Sequence, residues 1–197
     1  DFLASKSMTL IKPSLTVFCV SRHVQHQSHI DDAADFGHWI GQQSWHLVYG
    51  GGNVGLMGEI ARAALQAGAQ VTGIIPESLI KREVGLEGLT RLEVVSDMSV
   101  RKQALIDLGD AFVVLPGGLG TLDEFFEVAT LLQLDYHRKP ILILNRDGFW
   151  DPLLALVKHQ VFAGFVSQKE FDAWHVVDDL DDLKASCLAL LGPSKTI

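Results

Sequence analysis

The chain has 197 residues, a formal net charge of −8, 48% hydrophobic and 20% charged residues. That length and balance suit one soluble domain with a real core and leave little room for two. So acidic a chain is a poor match for a nucleic-acid polymer, which basic surfaces usually meet, although a local anion pocket can still take a mononucleotide.

Asp1 to Ser7 precede Met8, the plausible native start. These seven residues read as an appended remnant, and residues 8–197 as a single domain. No signal peptide is visible, and no apolar run approaches the ~20 residues of a membrane span. Cys19 and Cys187 both sit in apolar surroundings, which reads as two buried thiols in a reducing compartment rather than a disulfide. Together these point to the cytoplasm.

In chain order, strand-like runs fall at Leu15–Val20, His46–Tyr49, Val71–Ile75, Leu92–Val95, Ala111–Leu115, Ile141–Leu144 and Trp174–Val177. Helical patterns fall between them at Asp31–Gln43, Leu56–Ala67, Val100–Leu108, Leu122–Leu134, Pro152–Phe162 and Leu180–Leu191. The strands are continuous apolar runs, so both of their faces are expected to be buried. Repeated βα units of this kind predict an α/β fold, a doubly wound, mainly parallel, Rossmann-like sheet with helices on both faces. Pro76 to Thr90 is the one long stretch without periodicity, and a loop of that length in a compact domain is usually functional.

Ligands of such a sheet bind beyond the carboxyl ends of its strands. Five segments leave the strands there: Ser21-Arg22, Gly50–Gly58, Pro76–Glu83, Ser96–Lys102 and Pro116–Glu124. The last, Pro116-Gly117-Gly118-Leu119-Gly120-Thr121-Leu122-Asp123-Glu124, is the most informative. A glycine loop running from a strand into a helix aims free N–H groups at one spot, backed by the helix dipole, which suits a phosphate. It also places Glu124 in the expected first turn. Thr121 and Glu124 have capping-box spacing, so Glu124 could instead cap its own helix.

Gly50, Gly52 and Gly55 satisfy G-x-G-x-x-G between a strand and a helix, with Glu77 at the end of the next strand. Three readings stay open: a dinucleotide fingerprint, a tight turn with close helix packing, or the wall of a mononucleotide pocket with Gly51 and Gly52 approaching the ligand and Met57 facing a base. Ser96 or Ser99 could cap the following helix. Arg101 and Lys102 in its first turn oppose the positive helix end and imply a phosphate or carboxylate partner. His23, His26 and His29 precede Asp31 in the expected loop into the first helix. Their spacing matches no standard metal site.

Tyr49-Gly50-Gly51-Gly52 with Gly55-Leu56-Met57-Gly58, Gly73-Ile74-Ile75-Pro76, Met98 with Arg101-Lys102, Pro116 to Glu124, His137-Arg138-Lys139-Pro140 and Asn145 to Phe149 together resemble the LOG family. These are cytokinin riboside 5′-monophosphate phosphoribohydrolases, formerly described as lysine decarboxylases, and the likeness runs from Val17 to Leu191. The resemblance implies hydrolysis of the N-glycosidic bond of a purine nucleoside 5′-monophosphate, AMP or N6-prenyl-AMP, to free base and ribose 5-phosphate. It puts the catalytic pair on Arg101 and Glu124. It puts substrate contacts on Glu83, Lys102, Gly118 to Glu124 and Thr130, with Ser21, Gly51, Gly52, Met57, Met98 and Gly117 around them. It further implies a homodimer or larger, with the pocket near the dimer interface. The family's first strand usually ends in a Gly-Ser pair with another glycine soon after. Here Ser21 and Arg22 remain, Val20 stands in place of the glycine, and none follows nearby.

Cleaving an N-glycosidic bond passes through an oxocarbenium-like ribose, which a carboxylate beside C1′ stabilises while activating water. Such a reaction requires no metal or organic cofactor. A decarboxylase would need pyridoxal phosphate on a lysine, and nothing around Lys81 or Lys102 looks like such a site. The competing class is a non-catalytic nucleotide carrier or sensor, which would keep the glycine loop but would not need Arg101 with Glu124.

Overall fold

The computed structural model describes residues 12–80 and 85–192. Seven strands, β1 (Ser14–Phe18), β2 (His46–Tyr49), β3 (Gln70–Pro76), β4 (Arg91–Val95), β5 (Ala111–Val114), β6 (Ile141–Leu144) and β7 (Trp174–Val177), form one sheet. Its order is β4-β3-β2-β1-β5-β6-β7, and every neighbouring pair is parallel. The chain winds outward from β1 to β4, returns to the centre at β5, and winds outward the other way. This is the predicted doubly wound α/β sheet, and its switch point lies between β1 and β5.

The helices are α1 (Gln27–Gln42), α2 (Gly55–Gln66), α3 (Met98–Leu108), α4 (Leu119–Gln133), α5 (Asp151–Phe162), α6 (Gln168–Asp172) and α7 (Leu180–Leu191). Successive strand residues point to opposite faces, and the core divides accordingly. Leu15, Val17, Leu47, Tyr49, Val113 and Leu142 join one core with Phe36, Ile60 and Leu183 from α1, α2 and α7. Phe18, Val48, Phe112, Val114 and Ile143 join a second core with Leu105 and Phe125 from α3 and α4. Burial on both faces holds for the five inner strands. It fails for β4, where Leu92 and Val94 are exposed, and for β7, because each edge strand has a neighbour on one side only. Cys19 and Cys187 are both free and buried. No helix among the described residues is long and apolar enough to cross a membrane.

The first strand ends at Phe18 rather than the expected Val20, and the largest differences from the expected elements lie at helix starts. The first helix begins at Gln27 rather than Asp31, which brings His29 into it; there His29 is buried, edge-on to Phe149 at 5.6 Å, instead of lying in an exposed loop. The short helix α6 carries a capping box between Ser167 and Glu170 that hydrophobic periodicity did not reveal, since five residues are too few to show a period.

Candidate active site

A cavity of about 370 Å3 opens at the switch point. One wall is the segment after β1, Cys19 to Arg22; the facing wall is the start of α4, Gly118 to Thr121 with Glu124; Met57, Met98 and Arg101 close it.

The α4 wall follows from its glycines. The helix begins at Leu119, with Gly118 as N-cap and no side chain capping the end. The first backbone N–H groups of α4 therefore face the cavity without a side-chain acceptor at the cap, which suits an anion. A Cβ added to Gly118 or Gly120 would meet nothing within 4 Å, so open space lies over both. A Cβ on Gly117 would instead overlap the Thr121 hydroxyl, so Gly117 serves the turn. Because the helix starts three residues before the expected Leu122, Thr121 lies inside it and cannot be its N-cap. Glu124 sits in the second turn rather than the first, so the dipole acts on it less than the sequence suggested. Glu124 is nonetheless buried and faces the cavity.

Arg101 is 3% exposed. The first glycine loop holds it: Arg101 Nη2 donates to the Gly50 carbonyl at 2.8 Å and Nε to the Ile74 carbonyl at 3.1 Å. A Cβ on Gly50 would strike this guanidinium, so Gly50 must lack a side chain. Gly51, at φ +80°, packs against Ile74 and Ile75, and its carbonyl accepts from Leu86 N–H. Gly52 pairs with Gly85 in a bridge. Neither Gly51 nor Gly52 lines the cavity. Of the three readings of this loop, tight turning and close packing describe its glycines, while Met57 is the residue that reaches the cavity.

Helix α3 aims Arg101 and is capped by Asp97, not by Ser96 or Ser99. The Asp97 carboxylate accepts from Ser99 N–H at 2.9 Å and Val100 N–H at 3.0 Å. The Val100 bond first, then the Ser96 hydroxyl and the Ser99 bond, hold its carboxyl below the usual range. Lys102 points elsewhere, to Glu127 at 2.5 Å and Asp123 at 3.2 Å, and the bond to Glu127 raises its pKa. Its implied partner is thus a pair of carboxylates tying α3 to α4. Thr130 also lies apart. It follows Glu124 by six residues, about 240° around the helix, and lines a separate cavity of about 510 Å3 among α4, α5 and α6. Glu83 lies outside the described residues.

Among the candidate site residues, Ser21, Met57, Met98, Arg101, Gly118, Leu119, Gly120, Thr121 and Glu124 therefore share one cavity. Cys19 and Val20 line it as well and were not among the candidates, and Arg22 joins them from the Ser21-Arg22 segment expected to leave β1 at this point. A signal existed for them, since they directly follow the central strand. Val20 does not push the first loop away. Its side chain packs against the core, and its carbonyl accepts from Met57 N–H at 3.2 Å. Gly55, at φ +66°, lets Arg22 settle against the start of α2, where any Cβ would overlap the Arg22 carbonyl. Burial, and then the nearby Glu124, raise the Cys19 pKa, so the thiol stays protonated.

The fold and the cavity define a Rossmann-like α/β protein with a crevice that holds a buried arginine, a buried carboxylate and a helix N-terminus without a side-chain cap. Residues 57–187 match the family model described as "Possible lysine decarboxylase". The chain is 44% identical over 155 residues to a cytokinin riboside 5′-monophosphate phosphoribohydrolase of Rhodococcoides fascians, covering 78% of each chain. It is 42% identical over 154 residues to the rice cytokinin riboside 5′-monophosphate phosphoribohydrolase LOG, covering 78% of this chain and 64% of that one. The chain belongs to the LOG family. Among solved structures it shares its fold with a molybdenum cofactor binding protein of Rippkaea orientalis, at TM-score 0.69 and 20% identity over 92% of this chain and 98% of that one.

Proposed function

We propose that the chain hydrolyses the N-glycosidic bond of a purine nucleoside 5′-monophosphate, AMP or N6-prenyl-AMP, to free base and ribose 5-phosphate. The observation that carries this reading is the meeting of Arg101, Glu124 and the α4 N-terminus on one cavity. A simple anion carrier needs the helix terminus but no buried carboxylate, since burying an acid beside an anion site is costly unless it is used. Relatives named phosphoribohydrolases at 42–44% identity favour the same reading over a carrier.

In this reading the 5′-phosphate lies over Gly118, Gly120 and Thr121, with the ribose toward Glu124. Water adds to C1′ as the bond from C1′ to the base nitrogen breaks, and the bonding electrons leave with the base. Glu124 stabilises the developing positive charge on the ribose, takes a proton from the attacking water, and the departing base takes up a proton. Arg101, fixed by two carbonyls, orients Glu124 and the leaving group. None of these steps calls for a metal or organic cofactor. The whole of 8–197 acts as one domain.

The assembly belongs to the same proposal. Phe162 and Phe165 are 90% and 85% exposed, with Phe126 and Leu156 also exposed on α4 and α5. Exposed apolar surface of this kind fits self-association into a homodimer. Two free buried thiols fit a cytoplasmic setting.

The test is release of adenine and ribose 5-phosphate from AMP. Glu124→Gln keeps size and polarity but cannot act as base or carry charge. It is expected to lower kcat by about a hundred-fold or more while AMP still binds. Full activity in that variant sinks the assignment of Glu124. Tight AMP binding by the wild type without any base release establishes the carrier class instead.

A further inference from the structure

We infer that Arg22 is a phosphate-recognition residue of this site, gripping the substrate's 5′-phosphate from the side opposite the α4 N-terminus; the inference rests on the reading of a nucleoside monophosphate substrate. Three observations lead to it. Among the described residues, the charged side chains lining the cavity are Arg22, Arg101 and Glu124, two cations against one anion in a chain of net charge −8. A locally positive cavity in an acidic protein selects an anionic ligand.

The second observation is how the two arginines differ. Arg101 is buried and its guanidinium is already bonded to the Gly50 and Ile74 carbonyls. Arg22 is exposed, and no carboxylate or carbonyl among the described residues takes its side chain. Its five N–H donors stay available in a fork that matches phosphate oxygens. Ordering a long arginine side chain costs rotamer freedom, and a bound phosphate supplies what offsets that cost.

The third is position. The backbone beneath Arg22 is anchored by the bond from Met57 N–H to the Val20 carbonyl and by its seat on Gly55. The residue thus rises from a fixed support at the end of β1, across the switch point from Gly118 and Gly120, whose outer faces are open. Two walls then share one phosphate: backbone N–H groups from α4 and a guanidinium from the β1 loop. Arg22 so placed makes the site prefer phosphorylated over unphosphorylated nucleosides.

The experiment uses the full chain, with calorimetric titration of ribose 5-phosphate and adenosine alongside initial rates on AMP. Arg22→Gln is expected to weaken ribose 5-phosphate binding, and to raise KM for AMP, by about ten-fold or more, the worth of a charge-assisted bond pair. Within about two-fold, kcat and adenosine binding stay as in the wild type. Arg22→Lys recovers part of the loss, since it restores charge but not the fork. Unchanged ribose 5-phosphate affinity in Arg22→Gln overturns the assignment, whatever the rates. If the wild type releases no adenine but Arg22→Gln still loses phosphate affinity, the hydrolase reading falls and the role of Arg22 stands.

Discussion

At the scale of single residues, glycines of the same motif do different work, and mutagenesis can separate them. Gly117 leaves no room for a methyl group beside Thr121, whereas Gly118 and Gly120 have open space above them. Gly117→Ala is expected to destabilise the fold by about 1–3 kcal/mol, as overpacking does. Gly120→Ala lies inside α4, where alanine is favoured by about 1 kcal/mol over glycine, so stability holds or rises. Gly118→Ala at the cap costs about 0.5–1 kcal/mol, since glycine is a fair cap and alanine a poor one. If the phosphate rests on these glycines, both open-faced variants lose AMP turnover far beyond what any small change in melting accounts for. Thermal melts paired with base-release rates check this, and wild-type turnover in both variants removes the phosphate from this loop. The motif reads in the sequence as a phosphate site; which of its glycines have open space above them was not legible there, because that depends on where Thr121 packs.

At the scale of elements, the turn from α4 to β6 shows how one side chain sets a pH dependence. The neutral His137 ring donates from Nε2 to the Val128 carbonyl at 2.8 Å and accepts at Nδ1 from Lys139 N–H at 3.1 Å. It also packs edge-on to Phe112 on β5. Protonating Nδ1 would remove that acceptor. Burial first, with the Lys139 charge adding, lowers the His137 pKa below 6.5, against an opposing pull from the Val128 bond. Burial likewise lowers the pKa of His29 and His46. The unfolded chain therefore binds protons that the folded chain resists. The stability due to these rings is complete above 6.5 and is lost as pH falls through the lower folded values. Melting temperatures taken between about pH 7.5 and pH 5 should fall on acidification, and His137→Asn should fall less steeply from a lower starting point. Equal slopes would show that His137 does not contribute. His137-Arg138-Lys139-Pro140 stood out in the sequence, but its tautomer comes from two backbone partners that only the turn supplies.

At the scale of the whole molecule, the parallel sheet gathers the candidate site within one chain but leaves apolar side chains exposed on and beside α4 and α5. Phe162 at the end of α5 and Phe165 just beyond it project outward at 90% and 85% exposure. A soluble protein rarely leaves such side chains uncovered unless they meet a partner. The double variant Phe162→Asp/Phe165→Asp is expected to sediment as a monomer where the wild type sediments as a dimer. A wild type that is monomeric at micromolar concentration would contradict the proposed assembly. The larger cavity, which Thr130 lines, lies against the same helix α5, so Thr130 faces that side rather than the cavity at the switch point.

The sequence by itself determined the sheet and the order of its units. Apolar runs such as Ile141–Leu144 and Trp174–Val177 coincide with strands because period and β-branching act locally. It also singled out Glu124, beside the Pro116–Gly120 loop, and Arg101, a cation in a first helical turn, and the resemblance to the LOG family paired them. The tertiary structure alone decided the rest. Helix α4 starts at Leu119, because Gly118 can cap an end that faces open space. Gly50 serves Arg101, because two elements far apart in the chain meet at the switch point. Lys102 turns to Asp123 and Glu127, and Arg22 joins the cavity, for the same reason. Local pattern fixes which elements form; long-range packing fixes which face of each one meets the others, and the chemistry of a side chain depends on that face.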